Sequence, residues 1–301
     1  MRACVIFNPA AKGQKAERFR RCLDSIAAEC TLKRTSAPGD ARKLAAEAIC
    51  EGHETIIAAG GDGTLSEVLN GFGDVPEGFA RARLGVLPLG TVNVFARELG
   101  IPTQPESAWP VLCKAPESRI DLGRVDHGEP GHRRRHYFAQ LAGAGLDARA
   151  IELLNWPLKK RIGPFAYVAA GLKALLEKPA DILISSGTNS ARGQLVLIGN
   201  GRRYGGTFEV FAGADLRDGL LDVCIFPRAS WWTLVRCGPP LLWRKRLPES
   251  QVVRLRAAAF ELSSSIPAAF EIEGELAGHL PASFSVVPAG LRVLVPGEPA
   301  R

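Results

Sequence analysis

The stretch "TIIAAGGDGTLSEVLNG", Thr55 to Gly71, decides how the chain is read. "TIIAAG" (55–60) is a mainly apolar run ending in glycine, the pattern of a buried strand. "TLSEVLNGF" (64–72) has the apolar spacing of a helix. Between them stands Gly-Gly-Asp-Gly, a connection in which glycine lets bare main chain approach a ligand. A helix N-terminus after such a turn presents unpaired N–H groups and a positive dipole, which together make an anion seat. No Lys-Ser/Thr pair follows as in a Walker loop, and the spacing is not G-x-G-x-x-G. Asp62 on its own would repel a phosphate, so its presence points to a cation or a hydroxyl proton nearby. Carboxylate, Mg²⁺ and phosphate are the usual set in phosphoryl transfer. Asp and Gly also gather at turns and helix caps for local reasons, and this loop alone leaves both readings open.

Working outward, "ACVIFN" (3–8), "CTLKRT" (30–35) and "RLGVLPLG" (83–90) read as further strands, with helices at "KAERFRRCLDSIAAEC" (15–30) and "PGDARKLAAEAICEG" (38–52). Strand–helix alternation predicts an α/β domain over residues 1–122, a parallel sheet covered by helices on both faces. Ligands of such sheets sit beyond the carboxyl ends of the strands. Asn8, Pro9 and Gly13 follow the first strand, and Gly90, Thr91 and Asn93 follow another. With Gly60, Gly61 and Gly63 they would converge on one crevice, which a nucleotide with its phosphates fits best.

The texture changes after about residue 120. "RIDLGRVD", "HYFAQLAGAG", "ADILISSG", "GQLVLIGNG", "FEVFAGA", "LLDVCIF", "QVVRLRAAAFELSS" and "AAFEIEGEL" read as short strands separated by Gly, Asp, Asn and Pro, with one amphipathic helix at about 163–178. They predict a second, mainly antiparallel domain over 123–287, a sandwich or flattened barrel. "LRVLVPG" (291–297) suits a return to either domain, and the tail 288–301 is a candidate for joining the first.

The 301 residues are more than one core usually serves, in keeping with two domains. A formal charge of +7 favours an anionic partner. The basic runs Arg133–Arg135, Lys159–Arg161 and Arg244–Arg246 also read as solvated surface, and no nucleic-acid motif accompanies them. The seven cysteines form no C-x-x-C pair and read as reduced, mostly buried thiols. No run is apolar enough for a membrane span or signal peptide, so the reading is a cytoplasmic protein, peripheral at most to a bilayer. The five histidines show no ligand spacing. "SWWTLVRCGPPLLWRKRLP" (230–248) mixes tryptophan and arginine and reads equally as an interfacial patch or as core with a charged edge. The sequence does not reveal the oligomeric state, and a homodimer is a candidate.

"GGDGTLSEVLNG" followed by "LGVLPLGTVNVFARELGIP" (84–102) resembles the diacylglycerol kinase catalytic-domain family, which includes bacterial soluble lipid kinases and the sphingosine and ceramide kinases. The likeness continues through "IDLGRV" (120–125), "AGAGLDA" (142–148), "GNGRRYGGTFEVFAGADLRDGLLDV" (199–223) and "EIEGEL" (271–276), nearly the whole chain. The resemblance implies a nucleotide domain related to phosphofructokinase and NAD kinase, a C-terminal antiparallel β-sandwich that takes the lipid, and ATP-dependent phosphorylation of a hydroxyl on diacylglycerol or a related long-chain lipid drawn from a membrane surface. ATP contacts carried over by resemblance are Asn8, Pro9, Ala10, Ala11, Lys12, Thr35, Gly61, Asp62, Gly63, Thr64, Leu65, Ser66, Glu67 and Thr91, to which the loop reading adds Gly60, Gly90 and Asn93. A structural Mg²⁺ is implied at Asp215, Asp218 and the Leu220 carbonyl. Read without the family, D-x-x-D-G is a hairpin turn before it is a metal site. Glu275 is implied as the general base, with Asp62 engaging the Mg²⁺ of the nucleotide.

Three departures stand out. Lys12 occupies the place of the family's glycine in "NPxSG". Val94 replaces the aspartate of "GTxNDFA". Glu273 replaces the aspartate of "DGE". The last two keep a rival reading open, a nucleotide- or lipid-binding regulator with little turnover. An enzyme of the NAD kinase type, sharing the GGDG loop, is the other rival, against which "DLRDGLLDV" and the late "EGE" speak.

Overall fold

The computed structural model describes residues 2–9, 14–129, 131–153 and 165–297. The chain divides into two compact units, one of Met1–Leu122, Tyr137–Ala139 and Val287–Arg301, the other of Gly123–His136 and Gln140–Val286.

In the first unit β1 (Ala3–Phe7), β2 (Thr31–Arg34), β3 (Thr55–Gly60) and β4 (Arg83–Pro88) are all parallel, in the order β2-β1-β3-β4. Val5 stands opposite both Leu32 and Ile57, and Ala58 opposite Val86. β1 and most of β3 and β4 are buried, which is why they read as unbroken apolar runs. The connecting helices are α1 (Gln14–Glu29), α2 (Asp40–Cys50), α3 (Asp62–Gly73), α4 (Gly78–Arg81), α5 (Val94–Glu98) and α6 (Pro105–Lys114). α2 buries Ala41, Ala45, Ala48 and Ile49, and α3 buries Leu65, Val68, Leu69 and Phe72, one apolar stripe each at helical spacing. The two pack on each other, as do α1 and α6.

The second unit holds β5 (Glu117–His127, entering from the first unit), β6 (Arg134–Phe138, its last two residues counted in the first unit), β7 (Leu141–Gly145), α7 (Leu146–Glu152), α8 (Phe165–Ala174), β8 (Ile182–Ser186), β9 (Asn189–Gly193), β10 (Leu195–Gly199), β11 (Leu221–Phe226) and α9 (Trp231–Arg244). It closes with β12 (Val253–Ala257), β13 (Ala259–Ser264), β14 (Ala269–Ile272), β15 (Glu275–His279) and β16 (Ala282–Leu294). β12-β11-β10-β7-β14-β15 form one antiparallel sheet. β16, β13, β8 and β9 pair antiparallel in the other. Phe270 of the first sheet meets Phe284 of the second edge-on at 5.8 Å, and Phe284 stacks on Phe260 at 5.7 Å, the interleaving of a sandwich core. The far end of β16 pairs parallel with β4, Val293 opposite Leu84, so the run 291–297 belongs to the first unit.

Several expectations need correction. "FEVFAGA" (208–214) is not a strand. Gly205 and Gly206 take positive φ, Phe208 closes a bridge with Tyr204, and Val210, Phe211 and Ala214 are buried as loop anchors. "QVVRLRAAAFELSS" breaks at Ala258, β12 joining one sheet and β13 the other. "HYFAQLAGAG" likewise breaks into β6 and β7. α3 begins at Asp62, two residues before its predicted start. The seven cysteines are free thiols as expected, but only Cys4, Cys224 and Cys237 are buried; Cys50 and Cys113 are exposed at helix ends. Lys159–Arg161 and the first residues of the helix expected at 163–178 lie outside the described residues.

Candidate functional site

In the first unit the chain steps from β1 outward to β2, then returns to β3 on the other side of β1. The order of connection therefore reverses between β1 and β3, the place where open parallel sheets hold ligands beyond their carboxyl ends. Asn8 and Pro9 follow β1, Thr35 follows β2, Gly60 ends β3 and Gly90 follows β4, all at that one edge. The amides of Leu89 and Gly90 donate to the Gly60 carbonyl at 2.8 and 3.2 Å and fasten the last two loops together. A Cβ on Gly90 would lie 2.5 Å from Gly61 Cα and 2.7 Å from Asn93 Oδ1, so only bare main chain fits there. α3 starts beside this contact, its first-turn amides facing out of the helix end.

Asp62 has a more particular surrounding than its motif reveals. Its Oδ1 accepts the Val94 amide at 2.8 Å, and the amides of Asn93 and Phe95 also favour its charged form. The carboxylate thus serves the start of α5, a chain segment thirty-odd residues on, and burial still pushes its pKa upward against those amides. Val94 itself is buried, its side chain in the core. Asn93 takes left-handed backbone, φ 51°, and its Nδ2 donates to the Gly90 carbonyl at 2.7 Å.

The remaining nucleotide candidates divide. Thr91 is exposed, and Thr64 stands directly over Gly60. Gly63 and Ser66 are half-buried on α3, where the Ser66 carbonyl accepts Asn70 Nδ2. Leu65 is buried and its amide is bonded to the Gly61 carbonyl. Glu67 is turned to another task, its two oxygens accepting the Gly39 and Ala41 amides at 2.8 and 3.0 Å and so capping α2. Thr35 is buried, its amide donating to the Phe7 carbonyl. Ala10, Ala11 and Lys12 lie outside the described residues.

In the second unit the sequence singles out the Glu273–Gly274–Glu275 turn, and the structure shows what holds it. Glu273 and Gly274 both take positive φ, 52° and 83°, between β14 and β15. That suits glycine and strains glutamate, and three bonds fix it. The Gln140 amide donates to Glu273 Oε1 at 2.8 Å, the Glu273 amide to the Leu141 carbonyl at 3.0 Å, and the Gly274 amide to Glu271 Oε2 at 2.6 Å. The longer Glu273 side chain is thereby buried, while Glu275 emerges exposed at the start of β15.

Sequence reasoning missed the pair beneath this turn. Glu271 is 1% exposed, and its Oε1 and Asp147 Oδ2 both lie within 3 Å of where a Cβ on Gly143 would stand, neither with a donor. Two acceptors pressed together in a buried place require a proton between them. Burial first, and then the facing Asp147, holds Glu271 well above the usual carboxylate range; burial raises Asp147 also, opposed by the Tyr204 hydroxyl. "AGAGLDA" and "EIEGEL" contain both residues, but nothing in their spacing says that they meet.

The Asp215–Leu220 loop is closed by its own carboxylates, Asp215 Oδ1 accepting the Arg217 amide at 3.1 Å and Asp218 Oδ1 the Leu220 amide at 2.9 Å. Arg256 pairs with Asp218, reaches Asp222 at 3.0 Å and donates to the Gly213 carbonyl at 3.2 Å. A guanidinium thus already neutralises this loop, and a divalent ion would have to compete with it. Among the described residues no three His, Cys, Asp or Glu side chains converge as a metal cage.

Comparison with known proteins follows these outlines. Residues 2–125 match the diacylglycerol kinase catalytic domain, and residues 140–295 match the YegS C-terminal NAD kinase beta sandwich-like domain. The chain is 30% identical over 307 aligned positions to proteins named diacylglycerol kinase in Staphylococcus aureus strains bovine RF122 / ET3-1 and MRSA252, covering 99% of this chain and 93% of each relative. In fold it is similar to the crystal structure of a diacylglycerol kinase from Bacillus anthracis str. Sterne, with TM-score 0.75, 21% identity and coverage of 98% of this chain and 96% of that one.

Proposed function

The chain belongs to the diacylglycerol kinase catalytic-domain family and is a lipid kinase, and on that premise we propose that it transfers the γ-phosphoryl group of ATP to a hydroxyl of diacylglycerol or a related long-chain lipid. The observation that carries this reading is the meeting of glycine loops at the switch point of the parallel sheet, where Gly61 and Gly90 touch without side chains between them. The loops after β1, β3 and β4 and the start of α3 hold the phosphates through main-chain N–H groups. Asp62 would be the residue to hold Mg²⁺, a hard carboxylate oxygen suited to an ion reluctant to give up its hydration. Held there, Mg²⁺ would supply neutralisation of the phosphate charge. Asp62 stays fixed in orientation by the α5 amides during the reaction.

Glu275 takes the proton of the attacking lipid hydroxyl. Support comes from its exposure at the end of a turn that three hydrogen bonds hold in place, so that the residue has a fixed main-chain position and a reachable carboxylate. No step is assigned to the Asp215–Leu220 loop. Catalysis then consists mainly of positioning and charge neutralisation, as phosphoryl transfer requires. The acceptor is a membrane lipid, and the chain works in the cytoplasm at the bilayer surface.

The test is labelled ATP with extracted lipids, comparing the intact protein with Glu275→Ala. The variant should lose about 10²–10⁴-fold in kcat with nucleotide affinity unchanged. Unchanged lipid labelling would remove Glu275 as base, and labelling of NAD in place of lipid would remove the lipid acceptor.

A further inference from the structure

We propose that the outer face of α9 docks the protein on an anionic lipid surface. The proposal rests on the lipid-kinase reading above only for the choice of partner. The geometry of α9 stands by itself. Its inner side is anchored, with Cys237 and half-buried Leu241 packed on the cluster that holds Leu197, Phe211 and Phe226. Ser230 caps its start by accepting the Thr233 amide, and Arg246 beyond its end pairs with Glu209. A helix anchored in this way normally turns polar residues outward.

α9 does the reverse. Trp232, Leu242 and Trp243 are 72%, 68% and 84% exposed, and Trp231 and Val235 are exposed with them. At about 100° per residue these five fall on one arc of roughly 120°, on the side opposite Cys237 and Leu241. Isolated exposed apolar residues need no explanation, but three tryptophans, a leucine and a valine on one helix face do. The sequence alone could not separate this from core packing, because both faces of the helix are apolar.

The charge around the face selects the partner. Arg228, Arg236, Arg244, Lys245 and Arg246 are exposed, and residues 227–248 contain no acidic side chain. Arg228, Arg236, Arg244 and Lys245 make no ion pair with any described residue. Tryptophan prefers the headgroup level of a bilayer, and clustered arginine and lysine are drawn to anionic headgroups. A second copy of the chain would bring the same positive charge against itself, which argues against a self-paired face.

The experiment is co-sedimentation with vesicles of phosphatidylcholine alone or of equimolar phosphatidylcholine and phosphatidylglycerol, comparing the full chain with the double variant Trp232→Ser/Trp243→Ser. A second variant, Arg244→Gln/Lys245→Gln, removes charge and leaves the tryptophans. The intact protein should bind the anionic vesicles about tenfold or more tightly than the neutral ones, with binding weakened by salt. The tryptophan variant should lose most binding to both, and the charge variant only the preference for anionic lipid. Thermal melts establish that each variant is folded. Unchanged vesicle binding by the folded tryptophan variant overturns the proposal. So does a dimer of the intact protein, seen by sedimentation velocity, that the tryptophan variant abolishes. Phosphorylation of a short-chain diacylglycerol dispersed in detergent should be unaffected by either variant. That measurement reads the lipid-kinase assignment separately, since its failure in the intact protein leaves vesicle binding untouched.

Discussion

The contact at Gly61 and the turn at Glu273–Gly274 both bring polar groups to a fixed point, by opposite means. The first works by subtraction. Side chains are absent at Gly60, Gly61 and Gly90, so that bare main chain lines the sheet edge and two loops touch there through Cα atoms. The second works by addition. Glu271 and Glu273 are buried at a short turn with the Asp147 Oδ2 against them, and the bonds of the two glutamates hold a strained main chain in place. A seat built of main chain tolerates no added atom, whereas a turn held by side chains depends on their protonation. The two regions should therefore fail in different ways.

Asp62→Asn should have the largest effect. The amide oxygen can still accept from Val94, so the fold should persist with a stability loss of about 1 kcal/mol or less, while the lost charge toward Mg²⁺ should lower kcat by about 100-fold or more. Melting temperature and kcat measured on the same preparation check this; loss of both in parallel would mean that Asp62 is only a cap. Gly90→Ala comes next. Its Cβ would meet Gly61 Cα and Asn93 Oδ1, and nucleotide affinity by calorimetry should fall about 30-fold as the loops part. Affinity equal to that of the unaltered protein would separate this contact from phosphate binding.

Glu271→Gln probes the other region and should act through pH. The folded chain holds the Glu271 and Asp147 protons more tightly than the unfolded chain does. The pair's contribution is thus full in acid, below the ordinary carboxylate range, and is lost as pH rises through the elevated folded values. Glutamine keeps an oxygen for the Gly274 amide and offers an N–H to Asp147. Urea unfolding from pH 5 to 8 should therefore show a flatter profile for the variant, by on the order of 1 kcal/mol. Parallel profiles would show that the two carboxyls do not share a proton. The smallest effect on stability is expected from a chelator. Removing divalent ions should stop phosphoryl transfer yet move the melting temperature by about 1 °C or less, since Arg256 already neutralises Asp218 and Asp222. A clear fall in melting temperature would place an ion in that loop.

What could be read from the residues follows the same division. The parallel strands and their glycine loops were legible because apolar runs and missing side chains are local properties. Glu271 over Gly143, by contrast, depends on β7 and β14 becoming neighbours, which no spacing of residues announces. Asp62 read as a loop carboxylate, for a cation or for a local turn or cap, and only the fold shows it serving Val94. "FEVFAGA" alternates like a strand because a loop that buries Val210 and Phe211 also needs inward apolar groups. On α9 the mixture of tryptophan and arginine was visible, but burial of one face and exposure of the other decide its meaning, and burial is a property of the folded chain.

The prolines inside α9 add a limit to what that helix can do. Pro239 and Pro240 have no N–H, so the main-chain oxygens of Val235 and Arg236 are denied the donors that a regular helix would give them. Such oxygens are tolerated among water and headgroups but not in hydrocarbon. On the proposal that α9 meets a lipid surface, it would float at the boundary and not sink, and a protein resting on it could leave again after each visit.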